Sequence, residues 1–209
     1  MKKKSDSIHA KTYDSVAKEY RERLQKARAI KKETTQILLD YLEPGNRVLD
    51  LGCAVGYDTK MLARKCNVLG LDISPEMVKL AQQENARNHK VKIIQGDFLA
   101  VRFKEKFDGI FANAFIHLFS TGTDRKVFEK MRVLLREGGV AYIATTRSKK
   151  SREGWYYKKD YKSKEKRFRK YWRKTELSQA LQAAGFKIIR SFEFDDPFGK
   201  HQMNFIVQK

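Results

Sequence analysis

Cysteine is nearly missing from this chain of 209 residues, which has only Cys53 and Cys66. Two isolated thiols make neither a disulfide framework nor the paired spacing of a zinc site, so a cytoplasmic, reducing setting without a bound metal is expected. No apolar run approaches the roughly 20 residues of a membrane-spanning helix. The amino terminus, Met-Lys-Lys-Lys-Ser-Asp-Ser-Ile-His, is basic without the apolar stretch of a secretory leader, so no membrane partner is expected. Internal repeats are absent. Proline is scarce, and Pro44, Pro75 and Pro197 all fall where a turn or a helix start is expected. Acidic residues are outnumbered 25 to 45 by Lys and Arg, giving a formal charge of +20.

That charge is unevenly spread. Residues 1–32 carry +7, residues 33–146 only +2 and residues 147–209 +11. Between Arg147 and Lys174 the cations alternate with Trp155, Tyr156, Tyr157, Tyr161, Phe168, Tyr171 and Trp172. Basic groups attract phosphates and aromatic faces stack on bases, so RNA, DNA or another anion is one partner this stretch suits. A solvated surface with its aromatics turned inward has the same composition.

Apolar and aromatic residues recur at helical spacing from Ala10 to Leu42, and Glu43-Pro44-Gly45-Asn46 ends the pattern. Strands are expected over Arg47–Leu51, Val68–Ile73, Val91–Gln95, Phe107–Ala112 and Val140–Thr146. Helices are expected over Thr59–Lys65, from Ser74-Pro75-Glu76 to about Asn88, and over Thr123–Arg136. Thr175 is placed to cap a further helix closed by Gly185, and Phe186–Phe194 and Asn204–Gln208 suit an antiparallel pair. Strands alternating with helices predict an α/β sheet covered on both faces. One domain over 1–209 is expected, with a helical cap over 1–45 and a basic, aromatic insertion or lid over 147–174.

The most informative segment is Val48-Leu-Asp-Leu-Gly-Cys-Ala-Val-Gly56, a strand running into a glycine loop and a helix. In such sheets a ligand sits beyond the carboxyl end of the strand, where glycine lets backbone approach and the helix offers N–H groups. The loop is not the G-x-G-x-x-G of dinucleotide sites, and Asp50 heads it, which suits a ligand bearing positive charge. Further acids and polar groups end the other strands: Asp72, then Gly96-Asp97-Phe98, then Ala112-Asn113-Ala114-Phe115-Ile116-His117. Leu135-Arg-Glu-Gly-Gly139 precedes the fifth strand.

Taken together, Asp50-x-Gly52-x-x-x-Gly56 and these later motifs resemble the class I methyltransferases that use S-adenosylmethionine. The resemblance implies a three-layer, Rossmann-like sandwich with a seven-stranded, mostly parallel sheet and an antiparallel carboxyl-terminal strand. It implies that Asp72 accepts from the ribose hydroxyls, Asp97 from the adenine amino group, and that the Phe98 N–H meets a ring nitrogen. Ile73 and Met77 would sandwich the ring. The Gly52 and Cys53 backbone, with Gly56 of the same loop, would line the methionine end, Asp50 lying near its ammonium and the Ala112 carbonyl or Asn113 completing it, and Tyr13 and Tyr20 would cover the cofactor, with fastening of their helix to the domain as the alternative. Ala54 stands where the family often has a third glycine. His117, four residues past Asn113, is the candidate general base, with a structural role as the alternative. The Asn-Pro-Pro-Tyr signature of many nitrogen methylases is absent.

The leading expectation is methyl transfer to oxygen, nitrogen or carbon of a small molecule, an anionic one being compatible with the basic flanks. An RNA methyltransferase and a cofactor-binding module without turnover are the alternatives, and the glycine spacing disfavours a nicotinamide dehydrogenase.

Overall fold

The computed structural model describes residues 4–25, 28–157 and 165–209. Its centre is a seven-stranded sheet of β1 (Arg47–Leu51), β2 (Asn67–Asp72), β3 (Val91–Gln95), β4 (Phe107–Asn113), β5 (Leu135–Thr146), β8 (Lys187–Asp195) and β9 (His201–Gln208). The order across the sheet is β3-β2-β1-β4-β5-β9-β8. The first five strands pair in parallel, and β9 runs antiparallel to both neighbours. Helices α1 (Lys4–Gln25), α2 (Arg28–Leu39), α3 (Tyr57–Leu62), α4 (Pro75–Glu84), α5 (Thr123–Leu134) and α6 (Lys174–Ala183) complete the described fold.

Two apolar layers hold the sheet. On one face Leu49, Ile110 and Ile143 pack with Phe128 of α5, Leu177 of α6 and Trp172. On the other, Val48, Phe111 and Tyr142 pack with Leu38 of α2 and Leu62 of α3, and the Phe111 and Tyr142 rings stack with centroids 4.8 Å apart. Each such aliphatic side chain, withdrawn fully from water, favours the fold by about 1.5–3 kcal/mol before conformational entropy is charged against it. Because β1 to β5 are parallel, their carboxyl ends share one rim. The order reverses between β1 and β4, which opens a crevice there.

Several boundaries differ from those the sequence predicts. Helix α3 starts at Tyr57, directly after the Gly56 turn, rather than at Thr59. Ser74 does cap α4, its hydroxyl accepting from the Met77 N–H at 3.1 Å. Helix α6 begins at Lys174 with no side-chain cap, so Thr175 lies in its first turn instead of preceding it. Strand β9 begins at His201, three residues early, because His201 pairs with Asp195 across the turn.

The basic stretch, where the sequence suggests an insertion or lid, forms an antiparallel hairpin of β6 (Arg152–Tyr157) and β7 (Lys166–Tyr171). Its connecting residues 158–164, with Tyr161 and part of the predicted insertion, lie outside the described residues. The hairpin sits on α1: the Thr12 hydroxyl donates to the Lys166 carbonyl at 2.8 Å, and His9 stacks on Trp155 at 5.6 Å.

Candidate functional site

The glycine loop is folded back on β2. Both the Gly52 and Cys53 N–H groups donate to the Leu71 carbonyl, at 2.8 and 3.1 Å. Gly52, Ala54 and Gly56 all take left-handed backbone, with φ of 70°, 47° and 79°. Gly52 needs glycine twice over, since a Cβ there would lie 3.0 Å from the Phe115 ring. At Gly56 the added carbon would lie 2.6 Å from the Asn85 amide nitrogen, which itself donates to the Gly56 carbonyl. Gly56 therefore serves the contact between loop and α4.

Asp72 organises the rim. One carboxylate oxygen accepts from the Ala54 N–H and the other from the Ser74 N–H, both at 2.9 Å, so the group ties the glycine loop to the start of α4. Burial pushes its pKa up to about 6, against the opposing pull of those N–H donors. Nearby, Asp14 of α1 accepts from the Ser74 hydroxyl at 2.5 Å and from the Glu76 N–H at 3.2 Å. This acid, absent from the sequence-based set, fixes α1 across the rim. Its only sequence signal is a carboxylate one residue after Tyr13.

Two adjoining cavities, each partly open to solvent, occupy the crevice. The first is lined by Asp72, Ile73, Asp97, Phe98, Tyr13 and Phe115, among others. The second is lined by Cys53, Tyr57, Asp58, Asn204 and residues of the β8–β9 turn. Tyr20, Gly52, Ala54, Asn113 and Ala114 border both. Asp97 is held by the Leu99 N–H at 3.0 Å. The Phe98 N–H and the Asn113 carboxamide make no hydrogen bond among the described residues. Those two groups and the remaining lone pairs of Asp72 are among the polar capacity left unspent around the crevice.

Nine of the predicted site residues therefore converge on the crevice: Tyr13, Tyr20, Gly52, Cys53, Asp72, Ile73, Asp97, Phe98 and Asn113. Five line neither cavity. Asp50 is buried beneath the loop, where it accepts from the Thr59 hydroxyl at 2.6 Å. Met77 is wholly enclosed between α4, α1 and Tyr57, so it supports the site from behind rather than sandwiching a ring, and Ala112 is sealed within β4. Gly56 faces α4.

His117 is the fifth, only 3% exposed. Its Nε2 lies 3.3 Å from Arg167 Nη1, which can only donate, so Nε2 accepts and the proton sits on Nδ1, 3.4 Å from the Thr145 hydroxyl. Arg167 also donates to the Tyr13 hydroxyl at 3.1 Å. With both nitrogens engaged inside the protein, His117 joins the hairpin to the rim and is not aimed at an acceptor.

The hairpin's cations are partly interior as well. Arg167, Arg169 and Lys170 are buried. The Lys170 ammonium lies 2.7 Å from Asp124, 3.6 Å from Glu176 and 3.7 Å above the Trp172 ring. Of the charge that suggests a phosphate-binding strip, Lys170 is thus spent on internal ion pairing, and Arg147 and Lys174 both pair with Glu193. Cys53 and Cys66 are buried free thiols, both with pKa values raised chiefly by burial, consistent with packing roles.

A parallel five-strand core with an antiparallel penultimate strand, a glycine turn after β1 and an acid after β2 define the class I, Rossmann-like methyltransferase fold. Residues 48–139, a little under half of the chain, match the sequence profile of a methyltransferase domain family. Among curated relatives, it is 33% identical over 121 residues to the 2-methyl-6-phytyl-1,4-hydroquinone methyltransferase of Synechocystis sp., covering 55% of this chain and 36% of that one. Such relatives are longer: the chain spans between about a third and a half of their length. Among solved structures, the 1,6-didemethyltoxoflavin-N1-methyltransferase of Burkholderia thailandensis, with bound 1,6-didemethyltoxoflavin and S-adenosylhomocysteine, superposes with a TM-score of 0.79 at 22% identity, covering 97% and 88% of the two chains. A [4+2]-cyclase superposes with a TM-score of 0.68 at 17% identity, covering 85% and 81% of the two chains, so likeness of fold does not by itself assign the chemistry. Among the described residues no helix is long and apolar enough to cross a membrane.

Proposed function

We propose that this protein transfers a methyl group from S-adenosylmethionine to a small-molecule acceptor. The observation that carries the reading is the Asp72 carboxylate, at the end of β2 and tied to the glycine loop, with lone pairs left over beside a cavity that Asp97 and Phe98 also line. The cofactor matches that set in polarity: two vicinal hydroxyls suit Asp72, an exocyclic amine suits Asp97, a ring nitrogen suits the Phe98 N–H, and Ile73 offers an apolar face. Gly52, Cys53 and Asn113 stand at the junction where the methionine portion would lie. Bound there, the cofactor supplies an electrophilic methyl on a sulfonium.

The protein's own part is then mainly positioning. Tyr13 and Tyr20 of α1 close the crevice and exclude water. Arg167, His117 and Thr145 hold the hairpin against α1, keeping Tyr13 in place. Orientation alone is worth several orders of magnitude in a displacement of this kind, so a side-chain base is not required unless the acceptor must lose a proton. The names of two similar proteins, a 2-methyl-6-phytyl-1,4-hydroquinone methyltransferase and a 1,6-didemethyltoxoflavin-N1-methyltransferase, support a small-molecule acceptor, whereas ribosomal protein L11 methyltransferases that match a shorter stretch are named for a protein one. The test is incubation of the full chain with methyl-labelled cofactor and cell extract, followed by separation into metabolite, RNA and protein fractions. Label is expected in the metabolite fraction. Label confined to RNA or protein would refute the acceptor class, and none anywhere would refute turnover.

A further inference from the structure

The second cavity lies under the β8–β9 turn and is continuous with the adenosine-side cavity at Gly52, Ala54 and Asn113. Its two walls come from different parts of the chain: Tyr20, Leu24 and Tyr57 on the α1 and α3 side, and Phe194 at the end of β8 with Pro197 and Phe198 of the turn on the other. The turn is firmly built. Asp196 accepts from the Phe198 and Lys200 N–H groups at 2.9 and 2.8 Å, and its other oxygen takes the Gln202 amide at 2.8 Å. The Arg23 guanidinium sits 4.1 Å over the Phe198 ring, fastening the turn to α1.

Two amides remain with capacity to spare beside this space, the whole Asn113 carboxamide and the Gln202 oxygen. No Lys or Arg is among the described residues that line it, whereas Asp58 and Asp196 are. In a chain of charge +20 that is the reverse of what an anionic acceptor needs. Opposed aromatic walls bind a flat ring face to face or edge to face, and carboxamides recognise an edge carrying adjacent donor and acceptor groups.

We infer that this cavity is the acceptor subsite and that it takes an uncharged, planar ring with a lactam-like edge, Phe194 and Phe198 meeting its face and Asn113 and Gln202 its edge. The inference rests on the methyltransferase reading, because it needs the cofactor in the neighbouring cavity.

Calorimetric titration of the full chain, first saturated with S-adenosylhomocysteine, tests it with three probes: 2-quinolone, a bicyclic lactam; 2-naphthoate, a planar anion; and spermidine, a linear polycation. Saturable binding of 2-quinolone in preference to the other two is expected. Phe198→Ala and Gln202→Leu are each expected to weaken it at least about fivefold, while S-adenosylhomocysteine affinity, which also reports that the variants are folded, stays within about twofold of wild type. No binding of 2-quinolone to the saturated protein, tighter binding of either other probe, or wild-type affinity in both variants would overturn the subsite. Failure of S-adenosylhomocysteine itself to bind would instead remove the methyltransferase reading, and this inference with it.

Discussion

Asp72 gives the sharpest prediction, because one protonation acts on two observables in opposite directions. Its folded-state pKa of about 6 lies above the roughly 3.9 of an unfolded chain. A raised carboxyl pKa means the fold binds the proton more tightly, so the stabilisation from protonation is complete below about pH 4 and is lost as pH rises through about 6. The contribution is of order 3 kcal/mol to the ligand-free protein. Ribose hydroxyls, in contrast, need an ionised acceptor. If only ionised Asp72 binds cofactor, the apparent Kd grows by a factor of 1 plus the ratio of proton concentration to the acid constant, about twofold at pH 6 and about tenfold at pH 5. Isothermal calorimetry with S-adenosylhomocysteine between pH 7.5 and 5 reads this directly. In Asp72→Asn the steep limb should vanish, and affinity at pH 7.5 should fall by about 1–3 kcal/mol. The new amide would also turn an N–H toward the donors of Ala54 or Ser74. A wild-type Kd that is flat across the range would refute the placement of the ribose at Asp72.

Other predictions concern the loop, the hairpin and the histidine. Ala54→Gly should raise stability in urea by about 0.5–1 kcal/mol, because it releases a left-handed alanine, and a loss would show the strain to be absent. Gly56→Ala should cost about 2–3 kcal/mol through both its φ and the Asn85 clash, and an unchanged urea midpoint would contradict that. Lys170→Met strands Asp124 and Glu176 near the hairpin's base, and a cost of about 3 kcal/mol is expected; less than about 0.5 would mean the pair contributes nothing. His117→Gln keeps an acceptor for Arg167 and should hold methyl transfer within about threefold of wild type. A drop of about a hundredfold with loss of a limb of the pH profile would restore His117 as a base.

Much of the central sheet was legible because its strands are short apolar runs punctuated by Gly, Pro and Asp, and because Ser74-Pro75 marks a helix start by local chemistry alone. The rim acids Asp72 and Asp97 were legible for the same reason, each closing a strand. The hairpin was not. Its β7 sequence Lys-Arg-Phe-Arg-Lys-Tyr reads as solvated, and its burial depends on Asp124 and Glu176, partners 46 and 6 residues from Lys170 that no local pattern reveals. Direction was equally hidden. Asp50, Met77 and His117 stand near the predicted place, yet Asp50 points at Thr59, Met77 packs behind the rim and His117 meets Arg167. The β8–β9 turn showed only turn-forming residues, and its place beside the crevice follows from strand order, since β9 lies next to β5.

What the crevice binds decides the chemistry of this protein. Titration of the full chain with S-adenosylhomocysteine and, separately, with NADH should give saturable one-to-one binding of the first and none of the second. Heat from NADH alone, or from neither, would contradict the central claim.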